Sequence, residues 1–331
     1  MQGFTLMSII VIGIDISKKK FDVSISNLKT KKISKVFSND HSGFEQLKNI
    51  LPEGSNAIAA LEATGCYGEN LTRFLYNNDI KVFVLNPVQV RNYAKSKMLR
   101  TKTDKVDSEV IADFVTLHQE SLQNWTPPLV SLEKLKGLYR CSEDLKGDAT
   151  RVKGRIEACK NTDDLGKQEA LLTYESQLEF IEKNILEVDK KMLSIIDECP
   201  ELLGKFTLLC SIPGIAHKTA IGVLAELPEI SNFNNAKQLA AYAGLNPAIR
   251  ESGSSVRGRG RISHIGSAHL RKLLFLPAMS ALRYNPIIKE FGDRLKAKQK
   301  NGKVVLVAAM RKLLHIIFGV LKSGEFFKIT A

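Results

Sequence analysis

The run Ile9-Ile-Val-Ile-Gly-Ile-Asp15 constrains this chain more than any other stretch. Its β-branched residues predict a buried strand, and a carboxylate at the end of such a strand is costly unless something pairs with it. A polar turn follows into a second strand, Phe21-Asp-Val-Ser-Ile-Ser26, and a third near Lys35-Val-Phe37 completes an antiparallel meander. An amphipathic helix is expected over 41–51, a strand over 56–61 ending at Glu62, a helix over 67–76 and a strand over 80–85 closed by Asn86-Pro87. The last helix of this region starts at Asp104. The order β-β-β-α-β-α-β-α predicts an α/β domain in which the first and fourth strands can lie side by side at the centre of the sheet.

That placement bears on four acids. Thr103 can cap the last helix, Asp104 and Asp107 fall in its first turn, and Val106, Val110, Ile111 and Phe114 form its apolar stripe. Residues three apart return to within about 60° of each other on a helix surface, so the two aspartates share a face. Singly, each acid has a plainer use: Asp104 and Asp107 complement the helix dipole, Asp15 ends a strand, Glu62 caps a loop. Taken together in this strand order, Asp15, Glu62, Asp104 and Asp107 reach one edge of the sheet. Four crowded anions repel unless a hard divalent cation sits among them. An all-oxygen ligand set favours Mg2+ or Mn2+.

The rest of the chain has a different texture. Leu171, Tyr174, Leu178, Ile181, Ile185, Val188, Met192 and Ile195 alternate spacings of three and four, a heptad seam that predicts a coiled-coil segment. A shorter helix is expected within 132–159, giving either a hairpin within one chain or a contact between chains. Further on, 208–220 reads as helix, tight turn around Pro213-Gly214, and helix; it resembles a helix-hairpin-helix, with Ala216 where a second glycine is usual. Phe233 to Leu245 reads as a helix closed by Gly244, and helices are expected at 267–283 and 304–321. Between them lies Arg250-Glu-Ser252-Gly-Ser254-Ser255-Val-Arg257-Gly-Arg259-Gly-Arg261, a glycine-punctuated basic loop. Glycines permit close backbone approach and arginines match phosphate, so a loop that binds a nucleic-acid backbone is what these residues alone imply.

Charge agrees with that reading. The formal charge is +13, and 250–312 holds fifteen Lys or Arg against three Asp or Glu, nearly the whole surplus. A polyanion should therefore dock on the C-terminal part, with Arg271 and Lys272 among its contacts. The five cysteines are scattered without zinc-ligand spacing, as expected of free thiols in a reducing compartment. Without a signal-type start or an evident membrane-spanning run, the expectation is a cytoplasmic protein with no membrane partner.

Val11-Ile-Gly-Ile-Asp15, Leu61-Glu62-Ala-Thr-Gly65 and Lys102-Thr-Asp104-Lys-Val-Asp107 resemble the RuvC-like (RNase H-like) domain of DEDD insertion-sequence transposases, relatives of the pilin-gene invertase. The resemblance runs from about Val11 to Phe327. It implies an α/β RNase H-like domain over 8–127, a helical coiled-coil segment over 128–200 and a mainly helical transposase domain over 201–328. Asp15, Glu62, Asp104 and Asp107 fall on the family's metal-binding tetrad. Glu251 to Gly258 matches its serine motif, so Ser252 takes the place of the nucleophile, with Ser254 and Ser255 in support. The resemblance further implies a recombinase acting on donor and target double-stranded DNA through a serine-phosphodiester link. It also implies selection of both DNAs by a structured noncoding guide RNA, the bridge RNA, and a homo-oligomer, dimer or tetramer, with a composite site. Two other readings of the same residues are a Holliday-junction-resolvase-like nuclease using water and a non-catalytic nucleic-acid scaffold; site-specific inversion is a further recombination outcome.

Overall fold

The computed structural model describes residues 9–27, 30–52, 56–63, 65–98, 101, 103–248, 251–252, 256–257, 261–263 and 265–329. Two compact units meet in the chain at 127/128.

In the first unit, β1 (Ile10–Ile16), β2 (Lys20–Asn27), β3 (Thr30–Ser38), β4 (Ala57–Glu62) and β5 (Lys81–Leu85) make a five-stranded mixed sheet in the order β3-β2-β1-β4-β5. The first three strands form the antiparallel meander. β4 and β5 run parallel to β1, since α1 (His41–Asn49) and α2 (Glu69–Asn77) intervene as crossovers. Strand alternation splits the apolar residues between two faces. Ile10, Ile12 and Ile14 pack with Phe44, Leu47, Leu71 and Leu75 of α1 and α2. Val11, Ile58, Ala60, Phe83 and Leu85 pack beneath α3 (Pro87–Ser96) and α4 (Asp104–His118).

β3 is longer than its sequence suggests: it is an edge strand whose Ile33 and Val36 stay exposed, so its apolar pattern is weak. α3 was not expected, because Asn86-Pro87 reads as a stop. Proline at the first helical position loses no hydrogen bond, and Asn86 Oδ1 accepts the Val88 N–H at 2.9 Å, so the pair starts a helix instead. The same device starts α11 (Pro286–Ala297), also unexpected: the buried Asn285 caps Ile288 N–H at 3.2 Å and donates to the Pro213 carbonyl at 3.2 Å.

The second unit begins with α5 (Val130–Lys160) and α6 (Leu165–Asp197), two helices of nearly equal length. They run antiparallel, pinned across their length by Lys160–Glu175 and Lys153–Glu182, each at 2.9 Å, and by Ser142 Oγ to Asp189 at 3.1 Å. All eight seam residues are taken up within the chain: Leu171, Tyr174, Leu178, Ile181 and Ile185 pack on Ala149, Val152 and Ile156 of α5. Val188, Met192 and Ile195 enter the core shared with the C-terminal helices. The seam is therefore that of a hairpin within one chain. A different row on α6, Leu172, Phe180 and Leu186, remains exposed.

α7 (Pro200–Cys210), α8 (His217–Glu226), α9 (Ala236–Tyr242), α10 (Ala268–Tyr284), α11 and α12 (Gly302–Ser323) complete the unit. By length and composition α12 alone among the described helices could cross a membrane. Its Val305, Ala309, Leu313, Leu314 and Ile317 are buried in the helical core, which accounts for its apolar sequence. Arg140 of α5 holds the 5 % exposed Glu226 of α8 with two hydrogen bonds, at 2.8 and 3.1 Å, tying the hairpin to the C-terminal helices.

Candidate active site

The parallel register pairs Gly13 with Ala60 and Ile14 with Leu61, so one step further Asp15 lies beside Glu62 at the C-terminal end of both strands. Alternation puts them on the face that carries Val11 and Ala60, the face covered by α4. Gly13 lets α4 lie directly on the sheet. A Cβ at that position would fall 2.1 Å from the Ser108 carbonyl oxygen and 2.4 Å from the Ala112 nitrogen. Thr103 caps α4 through the Val106 N–H at 3.3 Å, and the first turn that follows carries Asp104 and Asp107 toward Asp15.

Burial and the negative charges of Asp107, Asp104, Glu62 and Asp22 together raise the Asp15 carboxyl to about 6. The other three acids singled out in the sequence are thus each within electrostatic reach of Asp15. Among the described residues no three His, Cys, Asp or Glu side chains converge at metal-ligand spacing.

Two members of this cluster escaped the sequence reading. Asp22 pairs directly with Asp15 across the β1–β2 ladder and is buried on the same face, so Asp22, Asp15 and Glu62 form a row over three neighbouring strands. Lys20 Nζ donates to Asp104 Oδ2 at 2.9 Å and to Asp22 Oδ2 at 3.1 Å. Those bonds hold the Asp104 carboxyl below its usual range and raise the Lys20 ammonium. The signal for Asp22 was present in the alternation of Phe21-Asp-Val-Ser-Ile-Ser26, whose polar positions share one face.

In the second unit the described residues of the basic segment pair as two short antiparallel ladders, here called the ribbon. β6 (Pro247–Ala248) pairs with β9 (Arg261–Ile262), and β7 (Glu251–Ser252) with β8 (Val256–Arg257). Ser252 lies opposite Val256, Arg257 opposite Glu251 and Arg261 opposite Ala248. Arg250, Ser254, Ser255 and Arg259 lie outside the described residues.

The ribbon is firmly rooted. Ser263 N–H donates to the Asn246 carbonyl at 2.9 Å and Ser267 N–H to the Tyr242 carbonyl at 2.7 Å. Gly266, at φ +141°, passes so close to the end of α9 that a Cβ would lie 2.2 Å from the Tyr242 carbonyl oxygen. Arg271 Nη1 donates to the carbonyls of Ala243 and Gly266 at 3.0 and 3.2 Å, and Lys272 bonds Glu143 of α5 at 3.0 Å. Arg271 thus supports the base of the ribbon, and Lys272 ties α10 to α5. At the 211–217 turn, Gly214 has φ +104° and abuts Ala281 of α10, while Ala216 caps α8 without a side-chain bond.

The acid row closes a central strand pair in the first unit, and the ladders that include Ser252, Arg257 and Arg261 belong to the second. Comparison with known proteins finds family matches that reach both units. Residues 12–159 match a family model described as "Transposase", of the DEDD and IS110 type, and residues 206–293 match the "Transposase IS116/IS110/IS902 family". The pilin gene-inverting protein of Moraxella lacunata is 33% identical over 97% of this chain and 98% of its own length, and that of Moraxella bovis is equally similar. The transposase for insertion sequence element IS1111A of Coxiella burnetii is 26% identical over 83% of this chain and 80% of its own.

The chain belongs to the IS110 family of transposases. It is a DNA-recombining enzyme.

Proposed function

We propose that the chain cuts and rejoins DNA through a covalent bond to Ser252, with a divalent ion held by the RuvC-like acid cluster. The observation that carries the metal part is the crowding around Asp15, which lies beside Glu62 and Asp22 on neighbouring strands: burial and four neighbouring acids raise its carboxyl to about 6. Asp15, Glu62, Asp104 and Asp107 offer only hard oxygen donors, which suits Mg2+ or Mn2+. Bound there, such an ion would supply Lewis-acid compensation for charge on phosphoryl oxygens.

Ser252 Oγ forms the new bond to phosphorus as the bond to the leaving DNA oxygen breaks, and the serine proton passes to solvent or base while the leaving oxygen gains one. The number of phosphoester bonds is unchanged, so the strand can be passed to a new partner without an external energy source. Arg257, Arg259 and Arg261, with Arg250, offset charge on the phosphate; Ser254 and Ser255 add hydrogen bonds. Donor and target double-stranded DNA are the substrates. The +12 net charge of 250–312 supports a further polyanion, a structured noncoding guide RNA that pairs with both DNAs. The exposed Leu172, Phe180 and Leu186 row supports assembly as a homo-oligomer, dimer or tetramer.

Two rival outcomes are separable. A resolvase-like nuclease would release free DNA ends by water attack, and a site-specific invertase would share the serine link but flip a resident segment, as the names of the Moraxella relatives describe for those proteins. The test is label transfer: end-labelled DNA, Mg2+, denaturation, and electrophoresis of the protein. Wild type is expected to carry label and Ser252→Ala to carry none while binding DNA normally. Label persisting in Ser252→Ala would overturn the nucleophile.

A further inference from the structure

Lys20 is the first residue of β2 and stands two positions before Asp22, hence on the same face of the strand. Its ammonium spans two elements, bonded at 3.1 Å to Asp22 on the sheet and at 2.9 Å to Asp104 in the first turn of α4. It is thus a positive charge bound within the acid cluster, and it occupies an oxygen of one of the proposed metal ligands. The contact is also open to solvent, with side-chain exposures of 49% for Lys20 and 57% for Asp104. Exposed ion pairs of this kind hold weakly and exchange readily. A divalent ion competing for the same oxygen carries twice the charge.

We propose that Lys20 is the resident counter-cation of the acid cluster. While no divalent ion is bound, it ties Asp104 to Asp22 and offsets part of the repulsion among the acids; a metal that takes the same Asp104 oxygen displaces it. Lys20 therefore sets the affinity of the site for divalent ions. This rests on the reading of the four acids as a metal site.

The experiment is titration calorimetry of the full chain with Mn2+ at pH 8 and fixed ionic strength, on wild type, Lys20→Met, Lys20→Arg, Lys19→Met and Asp15→Asn. Lys19→Met removes the same charge one residue away from an exposed side chain with no described bond to the acids, so it measures the general charge effect. Lys20→Met should bind Mn2+ about fivefold tighter than Lys19→Met, the equivalent of one exposed ion pair that no longer has to be broken. Lys20→Arg, which keeps the cation, should stay within about threefold of wild type. Equal affinities for Lys20→Met and Lys19→Met, with Asp15→Asn unable to bind, would overturn the role of Lys20 and leave the metal site standing. No Mn2+ binding by wild type, or binding undiminished in Asp15→Asn, would overturn the metal site and the role of Lys20 with it.

Discussion

Gly13→Ala tests how the acid cluster is assembled without touching an acid. The added methyl would sit 2.1 Å from the Ser108 carbonyl oxygen, 2.4 Å from the Ala112 nitrogen and 2.8 Å from the Ala112 Cβ, all of them backbone atoms or the first atom of a side chain. None can rotate away. On the other face β1 is locked by Ile12 and Ile14, both fully buried, so the strand cannot recede. Reaching an ordinary contact of about 3.4 Å requires α4 to lift by about 1.3 Å. Overpacking of this kind costs about 1–3 kcal/mol, and contact with rigid backbone places it at the upper end. For a unit of this size that is a fall in melting temperature of roughly 10 °C. The lift also carries Asp104 and Asp107 away from Asp15, and a misplacement of about 1 Å at a reacting centre typically costs about a hundredfold in rate. Scanning calorimetry and the label-transfer assay read the two effects. Gly147→Ala on α5, where a Cβ meets nothing within 4 Å, is the control and should be neutral or slightly stabilising. A Gly13→Ala protein that melts and reacts like wild type would refute the role given to the close approach.

Asp15 has a folded carboxyl at about 6 against an ordinary aspartate value of 3.8, so between those pH values the folded state holds more protons and metal-free stability falls as pH rises. Asp15→Asn should flatten that slope and melt higher than wild type at pH 7 in chelator; an unchanged slope would refute the raised carboxyl. Ile181→Asp puts a carboxylate into the hairpin seam and should cost about 2–4 kcal/mol, visible as early loss of helical circular dichroism on heating. If it instead lowers the mass by light scattering with no loss of stability, the seam lies between chains. Arg140→Met removes the guanidinium that holds the buried Glu226 and should cost about 2–3 kcal/mol, as measured by urea unfolding; a variant as stable as wild type would refute the role given to the pair.

Where a pattern is local, the chain displays it openly. The apolar run before Asp15, the alternation in β2, the Thr103 cap with its two first-turn aspartates and the spacing of three and four on α6 each reflect the geometry of one strand or one helix. The two missed helices, α3 and α11, share a physical cause: both start on Asn-Pro, which reads as a terminator until the asparagine is seen to cap and the proline to occupy a position with no N–H to lose. The heptad row showed that α6 needs a partner, and a seam has no means of stating whether that partner is the same chain.

By itself the sequence determined most of the elements, the acids at their ends and the serine-bearing basic segment, because propensity, capping and charge are written residue by residue. Only the tertiary structure decided that Gly13 seats α4 against β1, that Asp22 and Lys20 join the acids, that α5 fills the seam and that Arg271 is turned to the ribbon's base. Those outcomes depend on register and on which backbone atoms approach which, and a contact between residues such as Lys20 and Asp104, 84 positions apart, comes into being only when the sheet and the helix close on each other.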